Sequence, residues 1–363
     1  MSGRRLLASL DLPTIGATLG LVGVGLYAIA SATMEQPDRV GLWHTQLIWL
    51  AIALVAAAVI VLVDYRLWAE LAWLLHGVSI LLLGAVLLFG REVGGNRSWL
   101  VVGPLRAQPS ELAKWTTCLV LAVYLSRRVR GSMGLWQLIE MSLIVAAPLG
   151  LILLQPDMGT ALIFLPITAT AMLIGGVRWR VIVGLLALGL LLAPVAWTRL
   201  EGYQRERILT VLDPSRDPSG VGYQARQSKI AIGSGGLTGK GFFRGTQSQL
   251  NYLPAQHTDF VMAGWAEETG FLGMVGLLGL FYYLLWRGLV AARSAQDRLG
   301  TYLCVLVVAW LVGQMAINVG MVLGRLPTIG VPLPFRSYGG SSLIAAVCGA
   351  ALLVNVRTRR FVN

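Results

Sequence analysis

Ten apolar runs constrain this chain more than any other feature. They lie at 12–33, 43–63, 67–90, 110–126, 135–154, 157–176, 181–198, 269–290, 299–324 and 340–356. A bilayer-spanning helix needs ~20 mostly apolar residues. Only helices or closed barrels satisfy every backbone polar group in lipid. The runs therefore predict an all-α polytopic membrane protein with about ten transmembrane helices, forming one membrane domain over 1–363. Composition agrees: 56% of residues are hydrophobic and 13% charged, where a soluble chain carries about a quarter charged. This excludes a soluble enzyme, a disordered chain and a disulfide scaffold. Cys118, Cys304 and Cys348 all fall inside apolar runs, without disulfide or metal spacing, and read as small packing residues. Arg4 and Arg5 before the first run, with Ala28-Ile29-Ala30 near its end, resemble a signal peptide. The length of that run and the many spans after it favour an uncleaved first span.

The chain is also basic, with Lys+Arg 29 against Asp+Glu 17 and a net charge of +12. In a soluble protein this excess would suggest nucleic acid, but in a membrane protein Lys and Arg in short loops set orientation. With the N-terminus inside, the cytoplasmic set is Arg4, Arg5, Arg66, Arg127, Arg128, Arg130, Arg178, Arg180, Arg287, Arg293, Arg298, Arg357, Arg359 and Arg360. The opposite short loops hold only Arg39, Arg91, Arg97, Arg106, Arg325 and Arg336. An N-in/C-in topology follows. It puts segment 199–258 outside the cytoplasm, as a large loop between spans seven and eight, where no ATP is available.

Ionisable residues in or beside spans are costly and are functional suspects. Glu70 and Glu140 lie near cytoplasmic span ends and reach the headgroups by snorkelling. Glu111 and Lys114, in PSELAKW, share one helix face and pair either as a capped helix start or as the lining of an outward-facing cavity. Asp157, in LLQPDMGTAL, suits an N-cap. Asp259 ends NYLPAQHTDF beside His257 and Thr258, where an outer segment meets the membrane. Partial desolvation there would raise its pKa toward that of a useful base. A cap and a catalytic group are equally supported by its position. On a continuous helix Glu267 and Glu268 would lie about 80° and 180° from Asp259, which favours structural roles for both.

Segment 199–258 carries Arg205, Arg207, Arg216, Arg226, Lys229, Lys240 and Arg244 against Glu201, Glu206, Asp213 and Asp217. Long loops are largely exempt from the orientation rule, so attraction of an anionic ligand is one explanation. Within it, GSGGLTGKGFFRGTQSQ (233–249) is glycine-rich and basic. It fits neither the phosphate-loop frame of nucleotide hydrolases nor G-x-G-x-x-G. It reads as a flexible outer loop or as a cradle for phosphate or pyrophosphate, with backbone N–H groups, Lys240 and Arg244 as donors.

The motifs GGNRSWLVVGPLRAQPSELAK (94–114), QPDMGTAL (155–162), GYQARQSKIAIGSGGLTGKGFFRGTQSQLNYLPAQHTDF (222–260), AEETGFLG (266–273), GQMAINVGMVLGRLPTIGVPLPF (313–335) and SYGGSSL (337–343) run through most of the chain. Together they resemble the SEDS family (shape, elongation, division and sporulation). The GTQSQ element, which includes Gln247, favours its elongation-specific branch over the division-specific one. Met158, Thr269 and Arg336 depart from the residues usual in these motifs. Arg336 adds an outer-face cation for which the sequence supplies no role.

The resemblance implies a peptidoglycan glycosyltransferase in the bacterial cytoplasmic (inner) membrane, polymerising lipid II at the outer face during elongation. It implies undecaprenyl pyrophosphate as leaving group, a class B penicillin-binding protein as partner beside other elongation-complex proteins, and no nucleic acid. It makes Asp259 the essential carboxylate, with Glu111 and Lys114 in the same cavity. Attack by an acceptor hydroxyl on the anomeric carbon needs a base, for which Asp259 is the candidate. Arg97, Lys114, Lys240, Arg244, Gln247 and His257 are candidates for binding the sugar-pyrophosphate. A divalent cation, Mg²⁺ or Mn²⁺, is a further candidate, with Asp259 as its ligand. A lipid II flippase and a non-catalytic scaffold for the penicillin-binding protein are the competing readings.

Overall fold

The structure is a computed structural model describing residues 9–34, 41–93, 96–102, 105–128, 131–217, 220–250, 252–253 and 257–361. Arg4, Arg5, Arg39 and Arg130 of the charge count lie outside these residues, as do 251 and 254–256 of the NYLPAQHTDF string.

All ten apolar runs coincide with helices. These are α1 (Leu12–Thr33), α2 (Leu42–Leu62), short α3 (Tyr65–Glu70) leading into α4 (Ala72–Phe89), α5 (Pro109–Arg128), α6 (Leu135–Leu154), α7 (Met158–Ile174), α8 (Trp179–Arg199), α12 (Val261–Arg293), α13 (Arg298–Val322) and α14 (Gly340–Thr358). Seven of them, α1, α2, α4, α6, α12, α13 and α14, are long and apolar enough to cross a membrane. The run 67–90 is thus two helices, divided at Leu71. Segment 199–258 is no simple loop. It holds α9 (Gly202–Leu212), a 3₁₀ turn at Pro214–Arg216, α10 (Val221–Ser234) and the single turn α11 (Thr246–Gln249). The fold is all-α apart from a small antiparallel sheet between α4 and α5, built from β1 (Arg91–Val93), β2 (Asn96–Val102) and β3 (Leu105–Ala107). Arg91 pairs with Trp99, and Leu100 with Ala107.

Local chemistry fixes the helix ends. Asp64, Asp157 and Asp297 cap α3, α7 and α13, accepting from the N–H groups of Arg66, Thr160 and Gly300. Helix α5 opens on Pro109, carries Glu111 in its first turn and closes on Arg127 and Arg128, all matched to the helix dipole. It is the central helix: from Pro109 to Leu125 every residue but Leu112 is buried. Its polar residues therefore face protein, not lipid. Packing is close where α7 meets α13, because a Cβ on Gly313 would overlap the Pro166 ring. Helix α8 has no buried residue among the described ones.

The two ends of the bundle differ. At one end Asp11 takes Arg287 and Arg357, Asp64 takes Arg359, and Asp297 takes Arg66 and the Tyr65 hydroxyl. These arginines belong to the set assigned to the cytoplasm from sequence. At the opposite end the segment 323–339, joining α13 to α14, runs back across the helices as a strap. Ile329, Val331, Leu333, Phe335 and Arg336 are all buried there.

Candidate active site

Three side-chain amides hold the strap. Asn318 Nδ2 on α13 donates to the carbonyls of Val331 (2.7 Å) and Asp259 (2.9 Å). One turn away, Gln314 Nε2 donates to Pro332 O at 2.9 Å. Gln46 on α2 takes the N–H of Gly339 (3.2 Å) and donates to Ser337 O (3.4 Å). Two glycines let the strap approach the helices: a Cβ on Gly159 would overlap Ile329 O, and one on Gly25 would lie 2.7 Å from the Arg336 backbone.

Asp259 sits against this strap. It precedes α12, which begins at Val261, so the helical angles expected for Glu267 and Glu268 do not apply to it. Its carboxylate is half-buried and, among the described residues, accepts no hydrogen bond. A Cβ on Gly330 would lie 3.6 Å from its Oδ2. Burial pushes its pKa up to about 6, and the charge of Arg207 pulls the other way. Arg207, Thr210, Lys229, Gly324 and Thr328 line one cleft, which reaches the strap two residues from Gly330. Arg207 stacks over Tyr203 at 5.6 Å. Lys229 is exposed, and its stem packs where a Cβ on Gly324 would otherwise fit. His257 neighbours Asp259 in sequence. Its carbonyl takes Tyr338 N–H at 2.9 Å, and the two rings lie 6.0 Å apart.

The other site candidates are placed differently from expectation. Glu111 and Lys114 do not line an open cavity. They form a buried pair at 2.8 Å, with the Lys114 side chain 0% exposed. Lys114 Nζ also donates to Gln314 Oε1 at 3.0 Å and lies 5.4 Å from the Trp310 ring centroid. The pair thus reaches the strap, and through it Asp259, by way of Gln314. Arg97 is exposed on the small sheet and donates to the carbonyls of Gly90 (2.8 Å) and Leu88 (3.3 Å).

The Lys240 side chain and the backbone N–H of Gln247 are committed to Glu267. Its buried carboxylate accepts from Lys240 Nζ at 2.6 Å, Thr246 Oγ1 at 3.0 Å and Gln247 N at 3.1 Å. Glu268 accepts from Tyr27 at 2.9 Å and from Ser31. Both glutamates act as structural hubs, although the helical-angle reason for expecting this does not hold. Asp157 is the N-cap expected, and it also takes Gln108 Nε2 at 3.0 Å.

The glycine-rich loop is not an empty phosphate cradle. Helix α12 breaks at Gly270 (φ 65°), and the loop closes against that break. Lys240 N and Gly241 N donate to the Glu267 and Glu268 carbonyls, while Phe271 N and Leu272 N return to Gly236 O and Leu237 O. Gly235 and Gly239 are needed because a Cβ would overlap α12 carbonyls, and Gly239 also has φ 81°. Arg244 is exposed and is the loop's cation still open to an anion among the described residues.

Among the described residues, no three His, Cys, Asp or Glu side chains converge as a metal site. Asp259 alone fits a cation that draws its other oxygens from pyrophosphate and water, as Mg²⁺ commonly does.

Both the sequence and the helical bundle are matched by known proteins. The sequence profile of the cell cycle protein family of FtsW, RodA and SpoVE covers residues 12–361. The chain belongs to that family. It is 39% identical over 347 residues to the peptidoglycan glycosyltransferase MrdB of Escherichia coli K12, covering 94% of this chain and 92% of that one. It is 37% identical over 359 residues to the probable peptidoglycan glycosyltransferase FtsW of Thiomicrospira cyclica, covering 96% and 91%. A chain of a peptidoglycan synthase complex that coordinates polymerization and crosslinking superposes with TM-score 0.84 at 36% identity, over 98% of this chain and 99% of that one. The rod shape determining protein RodA of Thermus thermophilus superposes with TM-score 0.73 at 33% identity, over 98% of both.

Proposed function

We propose that this chain polymerises lipid II into glycan strands at the outer face of the bacterial inner membrane, with Asp259 as the general base. The single observation that carries the assignment is the unpaired carboxylate. Glu111, Glu140, Asp157, Glu267 and Glu268 all accept hydrogen bonds, whereas Asp259 accepts none among the described residues. A buried acid held in a network is fixed in charge. An unpartnered one with a pKa near 6 is free to take a proton at neutral pH.

The chemistry follows from the site. Asp259 removes the proton from the acceptor sugar hydroxyl as that oxygen attacks the anomeric carbon of the lipid-linked donor. The glycosidic bond forms, the bond to pyrophosphate breaks, and the electron pair leaves with undecaprenyl pyrophosphate. Arg207 and Lys229, in the cleft beside the strap, replace Lys240 as the cations facing the developing charge. Arg244 at the loop surface adds to the field that draws in an anionic lipid. A divalent cation held by Asp259 and the pyrophosphate would supply further charge neutralisation. The N-in/C-in orientation puts this end of the bundle outside the cytoplasm. A class B penicillin-binding protein is the partner this reading expects, in keeping with the synthase complex among the solved relatives.

The test is polymerisation of labelled lipid II by the purified chain with such a partner. Wild type makes glycan and D259A does not; equal yields would remove Asp259 from the mechanism. Loss of activity on chelation, restored by Mg²⁺ or Mn²⁺, would add the metal. Lipid translocation in liposomes without polymer would favour the flippase.

A further inference from the structure

Tyr338 has no part in the chemistry above, yet its backbone is pinned on three sides. Its N–H donates to His257 O at 2.9 Å. The Gln46 amide spans the residues on either side of it, donating to Ser337 O at 3.4 Å and accepting from Gly339 N at 3.2 Å. Ser341, in the first turn of α14, takes the N–H of Gln108 at 3.1 Å and so ties the end of β3 to the same point. Three segments, 106–108, 257–259 and 337–341, meet here.

The ring itself is not spent. It is half-buried, its hydroxyl makes no hydrogen bond among the described residues, and the His257 imidazole lies 6.0 Å away at a tilt. Beside it the chain is bare: a Cβ on Gly339 would meet nothing within 4 Å. Burial pushes the hydroxyl pKa up and the charge of Arg106 on β3 pulls it back, so at neutral pH the phenol keeps its proton and can donate. A backbone held this firmly under an open ring is pre-organised for a ligand.

The two sides of Asp259 differ in chemistry. Arg207 and Lys229 line the cleft that reaches the strap at Thr328, before Gly330, which lies against Asp259. Tyr338 stands at the other end of the strap, joined through His257 to the segment that carries Asp259. A departing pyrophosphate calls for the cations. An acceptor sugar is neutral at its reacting end. One face of its pyranose ring is lined with C–H bonds, which an aromatic ring covers favourably, and its edge carries polar groups that a phenol can meet.

Building on the polymerase reading above, on which this assignment rests, we propose that Tyr338 is the floor of the acceptor subsite. Its ring stacks on the C–H face of the acceptor N-acetylhexosamine and turns that sugar's hydroxyl toward Asp259.

Two analogues separate the subsites. Lipid II without its acceptor hydroxyl can only donate, and the same lipid with a non-departing ether in place of the pyrophosphate can only accept. Both are titrated against the full chain as D259N and as D259N/Y338L, where no turnover occurs. Loss of the ring should weaken the acceptor analogue about 10-fold and leave the donor analogue unchanged. Y338F and Y338W keep a ring face and should bind the acceptor analogue nearly as the parent does. In turnover with the partner, Y338L should raise KM for the acceptor analogue by a similar factor and leave KM for the donor analogue alone. Y338L should also melt with wild type, because its ring supports no core. Equal acceptor affinities with and without the ring, an equal loss for both analogues, a Y338F as weak as Y338L, or a clear fall in melting temperature would each overturn the stacking role. The two failures look different: a wild type that makes no glycan removes the polymerase reading, whereas glycan synthesis with unchanged acceptor affinity in D259N/Y338L removes the Tyr338 assignment alone.

Discussion

In the proposed mechanism, Asp259 owes its reactivity to what does not surround it. Raising a carboxyl pKa moves the basic form to higher pH, so the ionised base is lost as pH falls through the folded pKa. Polymerisation by wild type should therefore rise with pH and inflect near 6 in kcat/KM; an inflection near 4 would mean the carboxylate is solvated in the working enzyme. D259N keeps the shape and removes the base, and should cut the rate by about 10²–10⁴-fold in a single-turnover assay. Glu111 and Lys114 call for a different experiment, because they compensate each other in the core. E111Q or K114M alone strands a buried charge and should destabilise by ~3–5 kcal/mol. The double variant should cost well under the sum, which a double-mutant cycle of thermal unfolding will show. Spacing i,i+3 made the pair legible in sequence. Its burial was not, because that depends on α13 and Trp310 packing over it.

The strap and the stretch between α10 and α11 have no regular structure of their own, so each borrows hydrogen bonds from helices. Asn318 holds the carbonyls of Asp259 and Val331 together. N318A strands two carbonyls, at a cost of ~1–3 kcal/mol for each that stays buried. It should lower the polymerisation rate more than it weakens substrate binding, because Asp259 loses its placement and not its charge; a change confined to KM would contradict that. The loop 233–249 shows why a glycine count misleads. The glycines suggested an anion cradle, yet they serve close approach to the broken helix α12, and the N–H groups of Lys240 and Gly241 are spent on its carbonyls. Arg207 and Lys229 were visible as charges in sequence but could not be ranked. Only the packing of α9 and α10 against the strap brings them to one cleft.

At the scale of the whole molecule, the charge asymmetry predicts which end faces out. Cys118, Cys304 and Cys348 are buried, so background labelling is low. Arg244→Cys, at the Asp259 end, should react with a membrane-impermeant maleimide added to intact cells or spheroplasts. Arg128→Cys, at the other end of α5, should react only after lysis; the reverse pattern would invert the proposed topology. The sequence by itself determined the all-α membrane architecture, the ten helical runs, the cap at Asp157 and the helix start at Pro109. These are properties of local periodicity and of the cost of polar groups in lipid, and a chain reports them without folding. Tertiary structure alone decided which polar groups are spent on one another. It paired Lys240 with Glu267, buried Glu111 and Lys114, tied Arg97 to carbonyls, and left the Asp259 carboxylate and the Arg336 guanidinium without a hydrogen-bond partner among the described residues. The reason is physical. Whether a charge is free depends on neighbours up to hundreds of residues away, and those are set by how helices and strap pack, not by sequence spacing.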